Sequence, residues 1–413
     1  MTQLGGSLLE RLLAADDGHR GPRVDCGAGH TAEFVGYRDK TIDTVVGPVR
    51  VRRGYYRCAT CRHGVIPRDD ELDVAGVSLS PGLRAMTARA AAAVPFAKAR
   101  GLLAELGGIK LTTKRIERSA EADGQAAAES VAVQADAIAV RRLVPLPPAE
   151  PAPDMLYVAI DGTGVPMVPA ETRGRAGKSP DGRACTREVK LACCFTQTAT
   201  DDEGRPVRDE NSSSYVATFE PAAQFGILMA AEAKRRGAEH IRQLVVLGDG
   251  APWIWNLAAK HFPEATQIVD LYHAREHLHA LAECVKFIHE NTHADWLAAR
   301  LADLDAGDIQ SITAAARELP FVGAKADDRD KALHYFETNT VRMRYARFRN
   351  LGMFVGSGAV EAGCKHVIGQ RLKLSGMRWT IDGATGILTL RTHQASDRFD
   401  HIWRRPHNQT YVA

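Results

Sequence analysis

Three acidic residues lie next to small residues at points where a strand is expected to end or a helix to begin. Asp161 follows an apolar run and precedes Gly-Thr-Gly, Asp249 lies between two glycines, and Glu361 follows the segment Gly-Ser-Gly-Ala-Val. Glycine permits close backbone approach, which a site for a bulky phosphodiester requires. Strand ends meet at one edge of a sheet, so residues distant in sequence can converge there. Any one of these acids alone is as often a helix cap or a turn residue as it is a functional residue. Only their joint pattern predicts a site.

Clustered carboxylates of this kind favour the binding of hard cations. Three such groups stay ionised together only when cations lie between them, and oxygen-only ligands select Mg²⁺ or Mn²⁺ over zinc. Two ions about 3.5–4 Å apart form the clamp used for in-line phosphodiester displacement, in which one activates the attacking oxygen and the other stabilises the leaving oxygen. The sequence therefore predicts a site for two Mg²⁺ or Mn²⁺ ions that acts on phosphodiesters.

Two short-spaced pairs of metal-ligating residues occur near the N-terminus. Cys26 and His30 form the first pair, and Cys58 and Cys61 form the second. A β-hairpin is predicted between the two pairs, with its turn at 47–48. Zinc takes four tetrahedral nitrogen or sulfur ligands, and a metal would stabilise a β-rich segment that is too short for a large core. We expect a structural Zn²⁺ ion here, with His63 as an alternative fourth ligand. Reduced structural cysteines are the other interpretation.

A helix-turn-helix is predicted further along the chain. Residues 97–106 read as one short helix, Gly107 and Gly108 begin a turn, and a threonine pair caps a second helix. The first turns of that second helix carry the basic residues Lys114, Arg115 and Arg118. A helix that is basic at its start suits the major groove of DNA. An ordinary pair of helices with a solvated basic face is the alternative.

Composition limits the class of protein. The 413 residues are 45% hydrophobic and 25% charged, which is typical of globular proteins, and the net charge of +3 means that any basic surface must be local. The sequence shows no apolar stretch long enough to span a membrane and no secretory signal pattern. Eight cysteines without such a signal indicate a reducing compartment. We therefore expect a cytoplasmic, nucleoid-associated protein with no membrane partner.

The carboxylates fall in a region where apolar strands and helices alternate. Strands are predicted at 155–160, 188–195, 214–219, 243–248 and 266–269, with helices at 221–236, 252–262 and 272–290. Residues 293–350 read as wholly helical, and further helices follow at about 357–374 and 382–396. Five prolines between residues 144 and 153 predict a stiff connector before this region.

Several motifs of this region resemble those of one transposase group. The segments are DGTG at 161–164, LGDGAPWIW at 247–255, VDLYHAREHL at 269–278, GAVEAGCK at 358–365 and RLKLSGMRW at 371–379. They are similar to the motifs of insertion-sequence DDE transposases of the ISKra type. The resemblance implies an RNase H-like core with a helical insertion at about 274–350. It further implies that Asp161, Asp249 and Glu361 form the catalytic triad, and that Asp270 and His273 form the accessory C/D-x2-H signature.

Other residues of these motifs are candidates for DNA contacts, and some of them could instead have a purely structural role. His273 could bind a phosphate or orient a neighbouring acid, and a structural histidine is about equally compatible. Lys365 could meet a phosphate, or pair with Glu361 one helical turn away. A basic, aromatic-tipped segment able to grip a backbone or stack on an exposed base contains Arg371, Lys373, Arg378 and Trp379.

The expected fold is a multidomain α+β protein. A zinc-ribbon-like module is predicted at 1–70, a helix-turn-helix region at 71–142 and a Pro-rich linker at 143–153. The RNase H-like core would occupy 154–273 and 351–413, on either side of the insertion at 274–350.

The leading functional hypothesis is a transposase that binds the terminal inverted repeats of its element. It would cleave and transfer strands to target DNA with Mg²⁺, and we expect a homo-oligomer in the active complex. A catalytically inactive or domesticated DNA-binding regulator and a stand-alone RNase H-like nuclease are the alternatives.

Overall fold

A computed structural model describes residues 2–146, 153–177, 182–286 and 293–403. The chain divides into two compact units. The first comprises the chain up to Ala126 together with a short segment that begins at Phe399, and the second extends from Ala127 to Arg398. Residues 147–152 of the predicted proline linker lie outside the described residues. Both units mix helices and strands, so the chain has an α+β fold.

The first unit combines a small antiparallel sheet with helices. Its elements in chain order are α1 (Thr2–Ala14), β1 (Arg23–Asp25), β2 (Thr31–Thr44), β3 (Gly47–Cys58), β4 (Gly64–Val65), α2 (Pro67–Glu71), α3 (Pro81–Ala93), α4 (Phe96–Gly107) and α5 (Thr113–Ala139). The four strands are antiparallel in the order β1-β2-β3-β4. Helix α5 passes from the first unit into the second at Ala126.

The predicted hairpin is present, but its turn lies elsewhere. Gly47 and Pro48 were expected to form the turn, whereas they are the first residues of β3 and pair with Thr44 and Asp43. The loop is the dipeptide at 45–46, because pairing continues as far as a two-residue connection allows. The alternating inward residues of the hairpin include Val49 and Val51, which are buried against a cluster with Val74.

The predicted pair of short helices is present as α4 and the start of α5. Gly108 ends α4 in a left-handed conformation, and the Thr112 hydroxyl accepts a hydrogen bond from the backbone N–H of Arg115 at 3.2 Å. Ile116 is fully buried as expected. Leu106 was expected in the same core but is 84% exposed, because it lies on the outer face of α4.

The second unit is built on a five-stranded mixed sheet with helices around it. Its elements are β5 (Met155–Pro166), α6 (Pro169–Thr172), β6 (Thr186–Gln197), β7 (Ala199–Thr200), β8 (Pro206–Val207), β9 (Ser214–Thr218), α7 (Ala222–Arg235), β10 (Gln243–Gly248), α8 (Pro252–His261), β11 (Thr266–Val269), α9 (Leu271–Val285), α10 (His293–Ala306), α11 (Ile309–Arg317), α12 (Ala324–Asn339), α13 (Tyr345–Asn350), α14 (Gly358–Gly363), α15 (Gln370–Leu372) and α16 (Ile381–Ala395).

The large sheet has the strand order β11-β10-β5-β6-β9. Strand β6 is antiparallel to both of its neighbours, β5 and β9, whereas β10 runs parallel to β5 and β11 runs parallel to β10. Strand β5 is central and almost continuously apolar, and its residues from Leu156 to Ile160 are buried. The carboxyl ends of the parallel strands β10 and β11 therefore lie at the same edge, beside the middle of β5.

Strand β5 is longer than its apolar run predicts. A strand at 155–160 would place Asp161 at its end, but β5 continues to Pro166 because β6 pairs with it along the whole length. Pairing with β10 stops at Ala159. Asp161 thus lies inside a strand on the β6 side and just beyond the last pair on the β10 side.

The late helix predicted at 357–374 is present but irregular. It consists of α14, one π-helical stretch at Cys364–Gly369, and α15. Single π-helical turns widen a helix locally and are frequent at functional sites. The segment 293–350, which was predicted as wholly helical, contains α10 to α13 and a short 3₁₀ turn at Thr340–Arg342. None of the helices within the described ranges has the length and apolarity needed to cross a membrane.

Candidate functional site

Asp161 and Asp249 stand at equivalent positions on neighbouring parallel strands. Leu247 of β10 and Ala159 of β5 form the last pair between these two strands. Asp249 comes two residues after Leu247, and Asp161 comes two residues after Ala159. Neighbouring strands lie about 4.8 Å apart, so this register brings the two aspartates to adjacent places on the sheet edge. Both side chains are half-buried, which leaves them accessible to a ligand.

Asp270 extends the row of acids to a third strand and connects two helices. It follows Val269, which pairs with Gly248 in β10, and its side chain is completely buried. One carboxylate oxygen accepts a hydrogen bond from the backbone N–H of His273 at 2.9 Å and so caps α9. The other accepts a hydrogen bond from the backbone N–H of Ser357. Asp270 therefore ties the start of α9 to the segment that precedes Glu361.

Glu361 lies in the first turn of α14, which packs on β5 and β6. The approach of this helix depends on Gly363, because a Cβ atom there would come within 2.7 Å of the Tyr215 ring and 3.0 Å of Leu191. Leu191 is the β6 residue that pairs with Asp161. A side chain larger than hydrogen at 363 would push α14 away from β6 and β9.

Electrostatic interactions connect the members of this site. Burial raises the pKa of the Asp161 carboxyl above its ordinary value, and the Asp249 carboxylate raises it further. A hydrogen bond with the Cys364 thiol and the nearby His273 act in the opposite direction. Burial also raises the pKa of Cys364, which interacts with both Asp161 and Glu361. The three predicted acids thus belong to one electrostatic cluster.

The ligand atoms of the three carboxylates nevertheless do not all lie within 4.8 Å of one another. Among the described residues, the one group of three or more His, Cys, Asp or Glu side chains with all ligand atoms within 4.8 Å of one another is the N-terminal Cys/His group. Oxygens that bind two different ions of a two-ion site are separated by up to about 8 Å, given ion–oxygen bonds near 2.1 Å. An open arrangement is therefore compatible with ligands shared between two ions.

Cys364 and Tyr335 are site residues that the sequence patterns did not indicate. Cys364 lies three residues after Glu361, which puts it on the same helical face. Tyr335 of α12 donates its hydroxyl to the Asp249 carbonyl at 3.1 Å. Its ring fills the space beside Gly250, where a Cβ would come within 2.5 Å and the φ of +101° favours glycine. No sequence signal near 335 reveals this contact.

The accessory histidine lies at the edge of the cluster. His273 is half-exposed, and its Nδ1 lies 3.1 Å from the Glu276 carboxylate. One turn later, His277 stacks on the Tyr335 ring with centroids 3.8 Å apart. Burial lowers the pKa of His277. Both histidines therefore lie near the aspartates. His273 interacts electrostatically with Asp161, and His277 interacts with Asp249.

Some of the predicted DNA-binding residues are exposed near this cluster. Lys373 is exposed and its ammonium donates to the Thr163 hydroxyl, two residues past Asp161 on β5. It also acts electrostatically on Cys364. Lys365 and Arg378 are exposed as well. Lys373 therefore brings a positive charge next to the acidic residues.

Arg371 and Trp379 are placed differently from expectation. Arg371 is completely buried, with its guanidinium 5.1 Å from the Trp379 ring. Trp379 is 6% exposed and donates its indole N–H to the Leu372 carbonyl at 3.0 Å. The pair forms an internal packing contact, because the chain after α15 folds back so that Trp379 pairs with Met167. Neither side chain is accessible to DNA in this conformation.

The second candidate site is the cluster of Cys26, His30, Cys58 and Cys61 in the first unit. Their ligand atoms all lie within 4.8 Å of one another, so the group could hold a metal ion. Sγ of Cys61 is 3.7 Å from Sγ of Cys26 and 3.0 Å from Nδ1 of His30. Three sulfur atoms and one imidazole nitrogen form a donor set that zinc uses in structural sites.

The antiparallel strands bring these four residues together. Ala32 at the start of β2 pairs with Cys58 at the end of β3, which brings the two ligand loops side by side. The backbone N–H of Cys61 points at the Cys58 sulfur at 3.3 Å, and this hydrogen bond lowers the pKa of Cys58. Burial and the neighbouring thiols raise the pKa of Cys61 to about 12. His63 lies outside the group, with its Nε2 3.2 Å from the Cys26 carbonyl.

The three basic residues of the predicted recognition helix differ in their surroundings. Lys114 is largely exposed and pairs with Glu117 at 2.7 Å. Arg115 forms an ion pair with Asp43 at 2.6 Å and donates to the Ser78 hydroxyl at 2.8 Å, so it holds α5 against the sheet of the first unit. Arg118 is exposed. Lys114 and Arg118 are therefore the members of this set that face solvent.

Comparison with known proteins adds no family to these observations. A scan against protein-family models finds no match, and a search of curated proteins finds no significant match. The function of the chain therefore rests on its site geometry and on the motif resemblance described above.

Proposed function

We propose that this chain is a DDE transposase that binds the inverted repeats of its element and uses Asp161, Asp249 and Glu361 to cleave and transfer DNA strands. The observation that carries the proposal is the equivalent register of Asp161 and Asp249 on adjacent parallel strands. The helix of Glu361 is tied to the same sheet edge through Asp270. Together these features support the RNase H-like core and helical insertion that the motif resemblance implies.

The donor atoms at this edge suit Mg²⁺ or Mn²⁺. All three predicted ligands are carboxylates from half-buried positions, and oxygen ligands with solvent access are those that Mg²⁺ accepts while it keeps some of its waters. Two bound ions would activate the attacking oxygen and stabilise the leaving oxygen of a phosphodiester. The burial that raises the pKa of Asp161 favours a compensating positive charge beside it.

The remaining residues would position the reacting groups. Asp270 fixes α9 and the segment before Glu361, and would thereby fix the helix that carries this glutamate. Cys364 holds the Asp161 carboxylate by a hydrogen bond, and Tyr335 holds the backbone of Asp249. Lys373, fixed beside Thr163, would attract a phosphate of the bound strand. This division of labour suits phosphoryl transfer, which depends on positioning and charge stabilisation.

We also propose that the N-terminal Cys/His group binds structural Zn²⁺. The four donors form a closed set with no open position for a substrate, which is characteristic of structural zinc. The ion would hold the ends of the β2–β3 hairpin and thereby support the DNA-binding part of the first unit. Lys114 and Arg118, which face solvent, are the residues of α5 best placed to contact DNA. Elemental analysis should find one zinc per chain, and Cys61→Ser should lose it.

The decisive experiment is Mg²⁺-dependent nicking of a duplex that carries the inverted repeats flanking the coding region. We expect the wild-type protein and the matched control Asp202→Asn, an exposed acid in a turn, to nick at the repeat end. Asp249→Asn should bind the same duplex without nicking it. Full cleavage by Asp249→Asn would refute the catalytic assignment.

The same assay separates the alternative functions. Binding of the repeat duplex without any nicking by the wild-type protein would identify a regulator. Cleavage of RNA–DNA hybrids or branched duplexes with no requirement for repeat ends would identify a stand-alone nuclease. Cross-linking of the protein on paired repeat ends would show whether the active complex is a homo-oligomer.

A further inference from the structure

A groove of about 390 Å³ lies beside the edge strand β11 of the second unit. Three arginines line it, and the described residues of its lining include no acid. Thr266 and Gln267 of β11 add a hydroxyl and an amide. We call this surface the arginine groove and define it by Arg342, Arg344, Arg347, Thr266 and Gln267.

Arg342 is held in place at one side of the arginine groove. Its Nε donates to the Gln267 side-chain oxygen at 2.7 Å, and its Nη1 donates to the Thr338 carbonyl at 3.3 Å. The guanidinium also lies 4.7 Å from the Trp255 ring. This arginine has therefore lost much of its conformational freedom before any ligand binds.

Arg344 and Arg347 add positive charge that is exposed to solvent. Both side chains are exposed, and within the described parts of the chain no acidic side chain forms an ion pair with either of them. The nearby Arg349 differs, because it pairs with Asp305 at 3.1 Å. The two groove arginines therefore keep their donors available for an external anion.

We propose that the arginine groove binds the sugar–phosphate backbone of duplex DNA, an inference that rests on the function proposed above. Arginine presents its donors in a fork that matches phosphate oxygens, and Gln and Thr side chains commonly add contacts to the backbone. The exposed Val341 and Leu351 at the groove offer apolar surface to the sugars.

The position of the groove along β11 fits a strand that also reaches the acids. Thr266 and Asp270 are four residues apart on and just past β11, which corresponds to about 13 Å of extended chain. One DNA strand carries a phosphate every 3.4 Å or so along the helix axis. The arginine groove would thus hold phosphates a few nucleotides at most from the phosphodiester that reacts.

The test measures the salt dependence of DNA binding in a background that cannot cleave. Fluorescence anisotropy of a labelled repeat duplex is recorded with Asp249→Asn protein and with the same protein carrying Arg344→Ala and Arg347→Ala. Each lost phosphate contact lowers the slope of log Kd against log salt by about 0.9, so we expect a decrease of about 1.8 and at least about tenfold weaker binding at low salt. Arg344→Lys with Arg347→Lys should retain most of the slope.

A charge-matched control excludes a general effect of net charge. Arg205→Ala with Arg317→Ala removes the same charge from two exposed arginines that pair with acids elsewhere in the second unit, and should leave the slope unchanged. Equal thermal melting of both double variants verifies that each is folded. Binding by the groove variant that matches the control, or no duplex binding at all, would overturn the proposal.

Two further arms separate this inference from its competitors. Micromolar binding of a nucleoside triphosphate or of inorganic phosphate by the wild-type protein, lost in the groove variant, would identify a small-phosphate site and reject the DNA assignment. If wild-type protein fails to nick but the groove variant still loses duplex affinity, the transposase proposal fails and the arginine groove stands. If wild-type protein nicks the duplex but the groove variant binds it with unchanged affinity, the arginine-groove proposal fails and the transposase proposal stands.

Discussion

The two candidate metal sites differ in how tightly their ligand atoms are gathered. The Cys/His group of the first unit is closed, with all four ligand atoms within 4.8 Å of one another. The carboxylates of the second unit share one electrostatic cluster but remain more widely spaced. A closed set of ligands leaves no room for a substrate, whereas an open one does. The first arrangement suits a metal that stabilises the fold, and the second suits the proposed role of ions that act on a substrate.

Removal of the zinc proposed for the first unit is expected to have the largest effect on stability. Structural zinc contributes on the order of 10 kcal/mol to small domains, so a strong chelator should unfold the sheet around Cys58 and leave the sheet of the second unit intact. Hydrogen exchange followed by mass spectrometry can resolve the two sheets. Cys61→Ser should reproduce the effect, whereas Cys185→Ser, in the second unit, should not. Persistent protection of β2 and β3 without zinc would contradict this expectation.

A buried carboxylate of the first unit separates the effect of burial from that of metal binding. Burial raises the pKa of Asp123 to about 6, against an ordinary value near 3.8, even though Arg84 lowers it. A raised folded-state pKa stabilises the protein below the ordinary value, and this contribution is lost as the pH rises through 6. Asp123→Asn should therefore be more stable than wild type at pH 8, by up to about 3 kcal/mol, and nearly equal at pH 4.

Urea unfolding at several pH values measures this difference. The pKa of Asp161 is also raised, so Asp161→Asn should show the same direction of change in zinc-loaded protein that is kept free of Mg²⁺ and Mn²⁺. Addition of Mg²⁺ should reverse the advantage at position 161 and leave it unchanged at position 123. An equal response of both variants to Mg²⁺ would remove the distinction between the two carboxylates.

Replacement of Asp270 tests whether this acid positions the site or binds an ion. Asn retains an oxygen that can accept from one of the two N–H groups, so Asp270→Asn should lose less activity than Asp270→Ala. Loss of supporting contacts around metal ligands typically costs 10–100-fold, and we expect that range for Asp270→Ala with unchanged affinity for the repeat duplex. Loss of all activity in Asp270→Asn, as expected for Asp249→Asn, would instead indicate a fourth carboxylate ligand.

The smallest expected effect concerns the contact between α12 and the sheet edge that carries Asp161 and Asp249. Tyr335→Phe removes one hydrogen bond to the Asp249 carbonyl while the ring still packs against Gly250. A single such bond is worth about 1 kcal/mol, so the nicking rate should fall by less than about tenfold. Tyr37→Phe, a change of the same kind in the first unit, serves as the control. A fall as large as that of Asp270→Ala would show that α12 controls the geometry of the site.

Local patterns predicted the elements of this protein well where backbone pairing is regular. Strands β10 and β11 begin and end at the predicted residues, and both end beside an aspartate as expected. The spacing of Cys26, His30, Cys58 and Cys61 predicted a group that the β2–β3 hairpin brings together. These features depend on hydrophobic runs and on hydrogen bonds between neighbouring strands, both of which leave a periodic signal in the sequence.

The less successful predictions involve side chains whose partners are distant in sequence. The motif 371–379 reads as a basic surface segment, yet Arg371 is buried beside Trp379 because the chain folds back onto β5. Arg115 reads as a DNA contact but pairs with Asp43, which lies on a strand of the N-terminal sheet. The sequence around a charged residue does not reveal whether its side chain is exposed to solvent or forms an ion pair with an acid from another element.

The sequence by itself determined which residues are available for chemistry, namely the three acids beside glycines and the two pairs of metal ligands. Periodicity and spacing were sufficient for this because they reflect interactions along one strand, one helix or one hairpin. Only the tertiary structure decided that Asp270 joins two helices, that Tyr335 supports Asp249, and that three arginines line one groove. Those relations arise from the packing of elements far apart in the chain, where shape and burial rather than local pattern select the contacts.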